Sequence, residues 1–391
     1  MVQLDSQQWR TLVWAGLAVV LSAFGGSVLI LALPAVAADF HAGVPAIANL
    51  GSGLAVGTLF ALPLASLADH IGRRRLIAIG VAGFSIANFA STFAPSIVAL
   101  AVLRVVAVCF EALVGSVSTA LIIEEAPASH RGQAVSMLAI LSGAGLLIAI
   151  VVYPIVAPHW RYLFALSSGG VVAAPLIWRY LPEGRAWARV RLSGSALRLL
   201  MTPPWRRRVA ILAGQGVLVS LALGPAGLLY TFFASSALRM SPAAISLLIF
   251  ASGVVALVSY LAGGWLTDRF GRRGPGVVLT AIQTAFVGVG FVTGTIGFIA
   301  GNLLWSSAAS AATPVMGAWS GELYPTRARA TAESALGIFG SAGGIAGLQV
   351  VSRLSPAVGL GRALALISLV ALGGALLLLA LPETSQAPLP E

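Results

Sequence analysis

Arg104 and Glu111 lie deep inside one apolar stretch, residues 96–123, of a chain in which only 9% of residues are charged. No other ionisable side chain is buried so far from a polar boundary in the sequence. A charge at that depth costs roughly 2.5–3.5 kcal/mol to insert and is a functional candidate by default. The spacing of seven puts both on one helix face, about 10 Å apart along the axis. At that separation direct pairing is not expected. A carboxyl in so dry a place is penalised for carrying charge, and a guanidinium nearby opposes that penalty. The chemistry available is therefore proton exchange on Glu111, with Arg104 tuning it or holding an anionic group of a solute. The alternative is a structural pair, each member tied to a neighbouring helix.

The elements that would position these groups follow from composition. Hydrophobic residues make up 58% of the 391, against 9% charged, where soluble domains average about 25% charged. Twelve apolar segments recur, roughly 11–36, 44–68, 76–94, 96–123, 132–156, 162–181, 209–234, 243–267, 275–295, 297–321, 331–354 and 363–381. Each is near the ~20 residues a helix needs to cross about 30 Å of hydrocarbon. The fold class expected is an all-α integral membrane protein of twelve transmembrane helices. Residues 1–181 form one six-helix half, 182–208 a polar linker and 209–391 the second half. The first run ends near Ala35-Val36-Ala37, which resembles a signal-peptidase site. The run of 11–33 exceeds the 7–15 residues of a signal core, so it reads as a retained helix.

The net charge of +11 comes from 23 Arg and no Lys. These residues lie between apolar segments, which marks a topology signal and argues against nucleic acid as a partner. With the N-terminus in the cytoplasm, 18 Arg fall on the cytoplasmic side and four (Arg161, Arg239, Arg353 and Arg362) on the other. Both termini are therefore expected inside, in the plasma (inner) membrane. Cys109 is alone, within an apolar segment, and reads as packing. The four His (41, 70, 130 and 159) fall in loops without metal-ligand spacing. No P-loop, nucleophile elbow or paired carboxylate at a membrane boundary appears, so neither an enzyme nor a cofactor is expected.

The two halves repeat. "LASLADHIGRRR" (64–75) and "GGWLTDRFGRRG" (263–274) place Asp69 and Asp268 199 residues apart. "EEAPASHR" and "ELYPTRAR" share E-x-x-P-x-x-x-R: Glu124, Pro127 and Arg131 against Glu322, Pro325 and Arg329, offset by 198. "LPEG" (181–184) and "LPET" (381–384) follow at an offset of 200. Parallel six-helix repeats are a transporter architecture with the solute near the midplane. Asp69 and Asp268 sit at helix C-terminal ends, and Arg73, Arg74, Arg272 and Arg273 open helices at their N-terminal ends. Both are the unfavourable poles, so each charge needs a partner elsewhere. The clusters are expected to be inter-helix latches at the cytoplasmic gate, with Gly72 and Gly271 permitting the tight reversal. Asp268 is expected to contact another helix or an Arg. Glu333 suits an N-terminal cap at span eleven, or could be a mate for Arg73 or Arg272.

With these residues in place, the sequence resembles the major facilitator superfamily. "GWLTDRFGRR" (264–273) matches that family's loop signature G-x-L-x-D-R-x-G-R-R at Gly264, Asp268, Arg269, Gly271, Arg272 and Arg273. The first copy has Ala65 and His70 instead, which implies one packing contact fewer and a looser latch. The E-x-x-P-x-x-x-R pair, "LPET" and "PEGRAW" (182–187) are similar to the sugar-porter and metabolite:proton symporter branches. The Gly-Pro signature of drug antiporters is missing from "SGAGLLIAIVVYPIV" (142–156), and no acid stands in "SAFGGSVLILALP" (22–34). The resemblance implies an alternating-access transporter, with Arg104 in the position of the span-four Arg tied to proton coupling. Ala107 and Val108 replace the Gln and Gly that follow in the family. It also implies a cavity lined by spans 1, 4, 7 and 10, among others. Candidates there are Ser22, Ser27, Gln215, Tyr230, Asn302, Trp305 and Ser306, with Asn88, Tyr260, Gln283 and Gln349 from flanking spans. So few amides suit a small, partly apolar organic solute, and one midplane Arg suits an anion. The expected activity is proton-coupled uptake by a monomer. Drug or metabolite efflux by proton antiport, or a non-transporting sensor on the same scaffold, are the alternatives.

Overall fold

The computed structural model describes residues 6–66, 72–125, 131–157, 159–183, 200–203, 205–324 and 329–384. Helices account for nearly all of it. In chain order they are α1 (Ser6–Asp39), α2 (Val44–Ser66), α3 (Arg73–Ser91), α4 (Ile97–Glu125) and α5 (Arg131–Val156). Then come α6 (Trp160–Ser167), α7 (Gly170–Tyr180), α8 (Trp205–Ser236), α9 (Pro242–Phe270) and α10 (Arg273–Gly290). The last are α11 (Gly294–Leu323), α12 (Arg329–Val358), α13 (Leu360–Ala371) and α14 (Gly373–Leu378). Twelve expected spans thus appear as fourteen helices among the described residues. The difference lies in spans six and twelve, each broken once.

Both breaks have a local cause. At the first, Gly169-Gly170 follows two serines whose hydroxyls bond back to the carbonyls of Phe164 and Ala165, at 2.9 and 2.6 Å. At the second, Gly373-Gly374 follows Leu372. Glycine pairs weaken a helix by about 1 kcal/mol per residue, and serine back-bonding adds bend. Ser241 caps α9 by accepting from the Ala244 N–H at 3.2 Å, with Pro242 in the first turn and Gly271 closing the helix. Pro34, Pro154, Pro225 and Pro314 lie inside helices, which membrane helices tolerate because neighbours satisfy the freed carbonyls.

Among the described residues, seven helical stretches are long and apolar enough to cross a membrane by length and composition alone. Three of the other helices carry polar side chains inside the protein. Arg73–Arg75 open α3, and α3, α10 and α11 carry Ser85, Asn88, Thr280, Gln283, Thr284 and Asn302 buried inside the protein. Such helices face protein more than lipid and need less apolar surface. The opposite holds for α9, where Leu247, Val254, Leu257, Val258 and Leu261 are exposed, as lipid-facing side chains should be.

The chain forms two compact units, Met1–Gly43 with Gly53–Arg191, and Val44–Ser52 with Leu192–Glu391. In the first unit α1 packs on α4 and α5, and α3 on α4 and α7. Its core joins Ala15, Ala18, Ile77, Val81, Phe84, Val114, Leu121 and Ile177. In the second, α8 packs on α12, and α11 on both α9 and α10. Its core at one end gathers Leu212, Trp319, Leu323, Tyr324, Leu378 and Leu381. The pairing of α1 with α5 recurs as α8 with α12, and that of α3 with α4 as α10 with α11. The all-helical architecture is that expected of the major facilitator fold.

Candidate functional site

In the first unit α1, α3 and α4 bring a polar cluster into an apolar core. Arg104, fully buried on α4, donates through Nη1 to the Asn88 Oδ1 of α3. Its Nη2 donates to the Gly25 carbonyl of α1 at 3.4 Å and to the Glu111 carboxylate at 3.4 and 3.5 Å. The pair is thus direct, with Nη2 and Oε2 3.4 Å apart, against the expectation from axial spacing. Two extended side chains together span two helical turns, which a Cα-based separation does not capture. The Phe164 ring lies 5.6 Å from the Arg104 guanidinium carbon, adding a cation–π contact of about 2 kcal/mol when desolvated.

Gly25 is what lets α1 approach this closely. A Cβ there would stand 2.8 Å from both the Asn88 Nδ2 and the Glu111 Oε1. Ser22, one turn before, donates to the backbone carbonyl of Glu111 at 3.0 Å, so α1 is fixed to α4 on both sides of the pair. Ser27 turns back on its own helix, to the Ala23 carbonyl at 2.7 Å. The Arg104 Nε is buried with no hydrogen-bond partner among the described residues. One donor of the guanidinium therefore remains to be satisfied, by water or by a solute.

In the second unit the remaining candidates divide. Asn302 donates to the Ser252 Oγ at 2.6 Å and accepts from the Trp305 indole at 3.0 Å. The Tyr230 ring stacks on Phe298 with centroids 5.1 Å apart, beside Phe233 and Phe291. Its hydroxyl is buried with no partner among the described residues. A hydroxyl left unpaired in an apolar setting costs about 1–3 kcal/mol, which keeps Tyr230 among the candidates. Gln349 reaches Asn49 and Ser52 at 3.1 and 2.9 Å and is spent on packing. Gln215 is half-buried on α8.

The charged loop clusters have partners on other elements of the chain. Arg272 is held by Glu322 of the E-x-x-P-x-x-x-R motif, Nη2 to Oε1 at 2.6 Å and Nε to Oε2 at 3.0 Å. This forked contact keeps the Arg272 guanidinium charged, its pKa above the usual value chiefly through the Glu322 hydrogen bonds. Thr384 donates to Glu322 Oε2 at 2.5 Å. Asp268 is exposed, and among the described residues its charge acts on Arg272 as an electrostatic neighbour. Arg269 lies over the Trp265 and Phe270 rings. A Cβ on Gly264 would meet nothing within 4 Å, whereas one on Gly263 would stand 2.1 Å from the Ala311 carbonyl. The close helix approach next to the signature therefore belongs to Gly263, and no contact in this unit depends on Gly264.

The last repeated motif supplies what sequence reasoning missed. Glu383 accepts from the backbone N–H groups of Arg272 and Arg273 at 2.9 Å each. Glu183 accepts from that of Arg74 at 3.2 Å, with the Arg74 Nε 3.9 Å away. These carboxylates sit at the N-terminal poles of α10 and α3, where negative charge is favourable. They offset the unfavourable placement of the Arg residues. Gly72 (φ 96°) and Gly271 (φ 79°) sit beneath them, and a Cβ on either would press into the carboxylate. The signal was present as "LPE" at an offset of 200, preceded in each half by the same Gly-Arg reversal. Arg73 is buried. Asp69, Pro127 and Pro325 lie outside the described residues, as do the side chains of Glu124, Arg131, Arg329 and Glu333.

A family model described as Major Facilitator Superfamily matches residues 15–238, more than half of the chain. The chain belongs to the major facilitator superfamily. It is 28% identical over 300 residues to a gallate transporter of Pseudomonas putida, covering 74% of this chain and 64% of that protein. It is 24% identical over 338 residues to a tetracenomycin C resistance and export protein of Streptomyces glaucescens, covering 71% and 63%. The chain thus spans under two thirds of the length of either relative. Among solved structures, that of a D-xylose-proton symporter superposes with a TM-score of 0.77 at 20% identity, covering 98% of this chain and 100% of that one. The family and these relatives are transporters, and no enzymatic relative is among them.

Proposed function

We propose that the protein is a secondary active transporter that takes up a small organic anion together with a proton by alternating access. The observation that carries this is the buried Arg104–Glu111 pair with its Asn88 and Gly25 partners. A solute carboxylate arriving at Arg104 would compete with Glu111 for the guanidinium. A carboxylate that loses its guanidinium in a dry site takes up a proton to shed its charge. Anion and proton then load together, with no net change in the charge held by the site. The similarity to a gallate transporter supports an organic acid as the solute class.

In this reading residues 1–181 and 209–391 are the two rocking halves and 182–208 their linker. Both termini are cytoplasmic in the plasma membrane, as the placement of Arg supports. The carrier is a monomer, and solute, protons and bilayer lipid are its partners. The Asp69 and Asp268 loops with the two E-x-x-P-x-x-x-R motifs form the cytoplasmic gate. Proteoliposomes carrying the full chain should accumulate labelled gallate or another small aromatic acid when an inward proton gradient is imposed. Accumulation that ignores the gradient would refute the coupling. Export is the second reading, favoured by the similarity to the tetracenomycin C export protein. In that case loaded cells would retain more solute when the gradient is collapsed.

A further inference from the structure

At the arginine-rich end of the second unit is a pocket of about 390 Å³, apart from the polar clusters above. Its charged lining is Arg207 and Arg208 from the first turn of α8 and Arg273 from the start of α10. Its floor is apolar, made by Ile211 and Leu379 to Pro382. No carboxylate is among the described residues that line it. Glu383, the nearest acid in sequence to the floor, accepts from the backbone of Arg272 and Arg273. The guanidiniums are oriented rather than loose. Arg208 donates to the Leu323 carbonyl at 2.9 Å and lies 5.0 Å over the Trp205 ring. Arg273 donates to the Leu379 carbonyl. Each of these two hydrogen bonds uses one N–H of the five a guanidinium carries. Arg207 is exposed at the rim.

Three guanidiniums around a small cavity that no described carboxylate lines match a group with several anionic oxygens. Arg forks bind phosphate bidentately, and the positive pole of α8 adds to the attraction. The apolar floor suits the glycerol and first methylenes behind a headgroup. We infer that this pocket binds a phosphate group, either the phosphodiester of an anionic lipid headgroup or free phosphate.

The test uses the purified full chain in detergent. Native mass spectrometry counts retained dioleoyl phosphatidylglycerol against dioleoyl phosphatidylcholine, and a thermal shift is read with inorganic phosphate. At about 1 kcal/mol per Arg near a membrane surface, Arg207→Gln/Arg273→Gln should weaken phosphatidylglycerol retention roughly 30-fold. Arg207→Gln alone should weaken it about fivefold, and this exposed position guards against a misfolded double variant. Arg206→Gln, exposed and outside the pocket, should leave retention unchanged. Retention of phosphatidylglycerol that depends on Arg207 and Arg273 makes the ligand a lipid. A shift with inorganic phosphate alone, lost in the double variant, makes it a soluble phosphate. If neither anion depends on the two Arg residues, the site is refuted.

Discussion

Glu111→Gln removes one charge from the buried pair and keeps its shape. Arg104 is fully buried and Glu111 is 7% exposed, so solvent screens little of their 3.4 Å contact. Deleting one partner of such a pair leaves an uncompensated charge and costs roughly 3–5 kcal/mol. Here the cost should fall at the low end. The Asn88 Oδ1 and the Gly25 carbonyl continue to accept from Arg104, and the Phe164 ring faces its guanidinium. Arg104→Gln should cost as much or more, because it strands the Glu111 carboxylate in the same dry core. The double variant leaves neither charge exposed to the other's loss. It should be more stable than the sum of the singles predicts, by up to about 3 kcal/mol of coupling. Thermal unfolding of all four proteins in one detergent gives the cycle. Additive losses would show that the two side chains do not act as a pair, and would remove the competition step from the mechanism.

Other outcomes follow from the same contacts. Gly25→Ala puts a Cβ 2.8 Å from Asn88 and Glu111; transport should fall at least tenfold, while the expressed protein stays folded as judged by gel filtration. Gly271→Ala forces a glycine-only backbone conformation and crowds Glu383; it should cost about 1–3 kcal/mol in denaturant unfolding. Glu322→Gln breaks the fork to Arg272, whose side chain is 15% exposed; a loss of about 1.5–3 kcal/mol is expected, whereas Asp268→Asn should leave stability within about 0.5 kcal/mol.

Much of the fold was legible because lipid allows few alternatives. Apolar runs near twenty residues long must be helices, and three motifs at offsets near 199 showed the duplication. The breaks in spans six and twelve were less visible. They fall at Gly-Gly steps, the first reinforced by serine hydroxyls turning back on carbonyls, which hydropathy does not register. At the site, Arg104 and Glu111 stood out because charge is rare in the chain. Their pairing was hidden, since it rests on the reach of two long side chains and on the space Gly25 leaves in α1. The loop clusters were read from helix-dipole signs, which required partners without naming them. Those partners, Glu322 and Glu383, are brought to Arg272 by α11 and by the turn after α14, and no local spacing encodes that.

The central claim is that Glu111 carries the proton and Arg104 the anion. The most direct measurement is proton movement in proteoliposomes loaded with a pH-sensitive dye, on addition of gallate and related small organic acids. The wild-type chain should acidify the lumen as solute enters. Glu111→Gln should exchange labelled for unlabelled solute across the membrane without moving protons. A Glu111→Gln protein that still acidifies the lumen with solute would contradict the account.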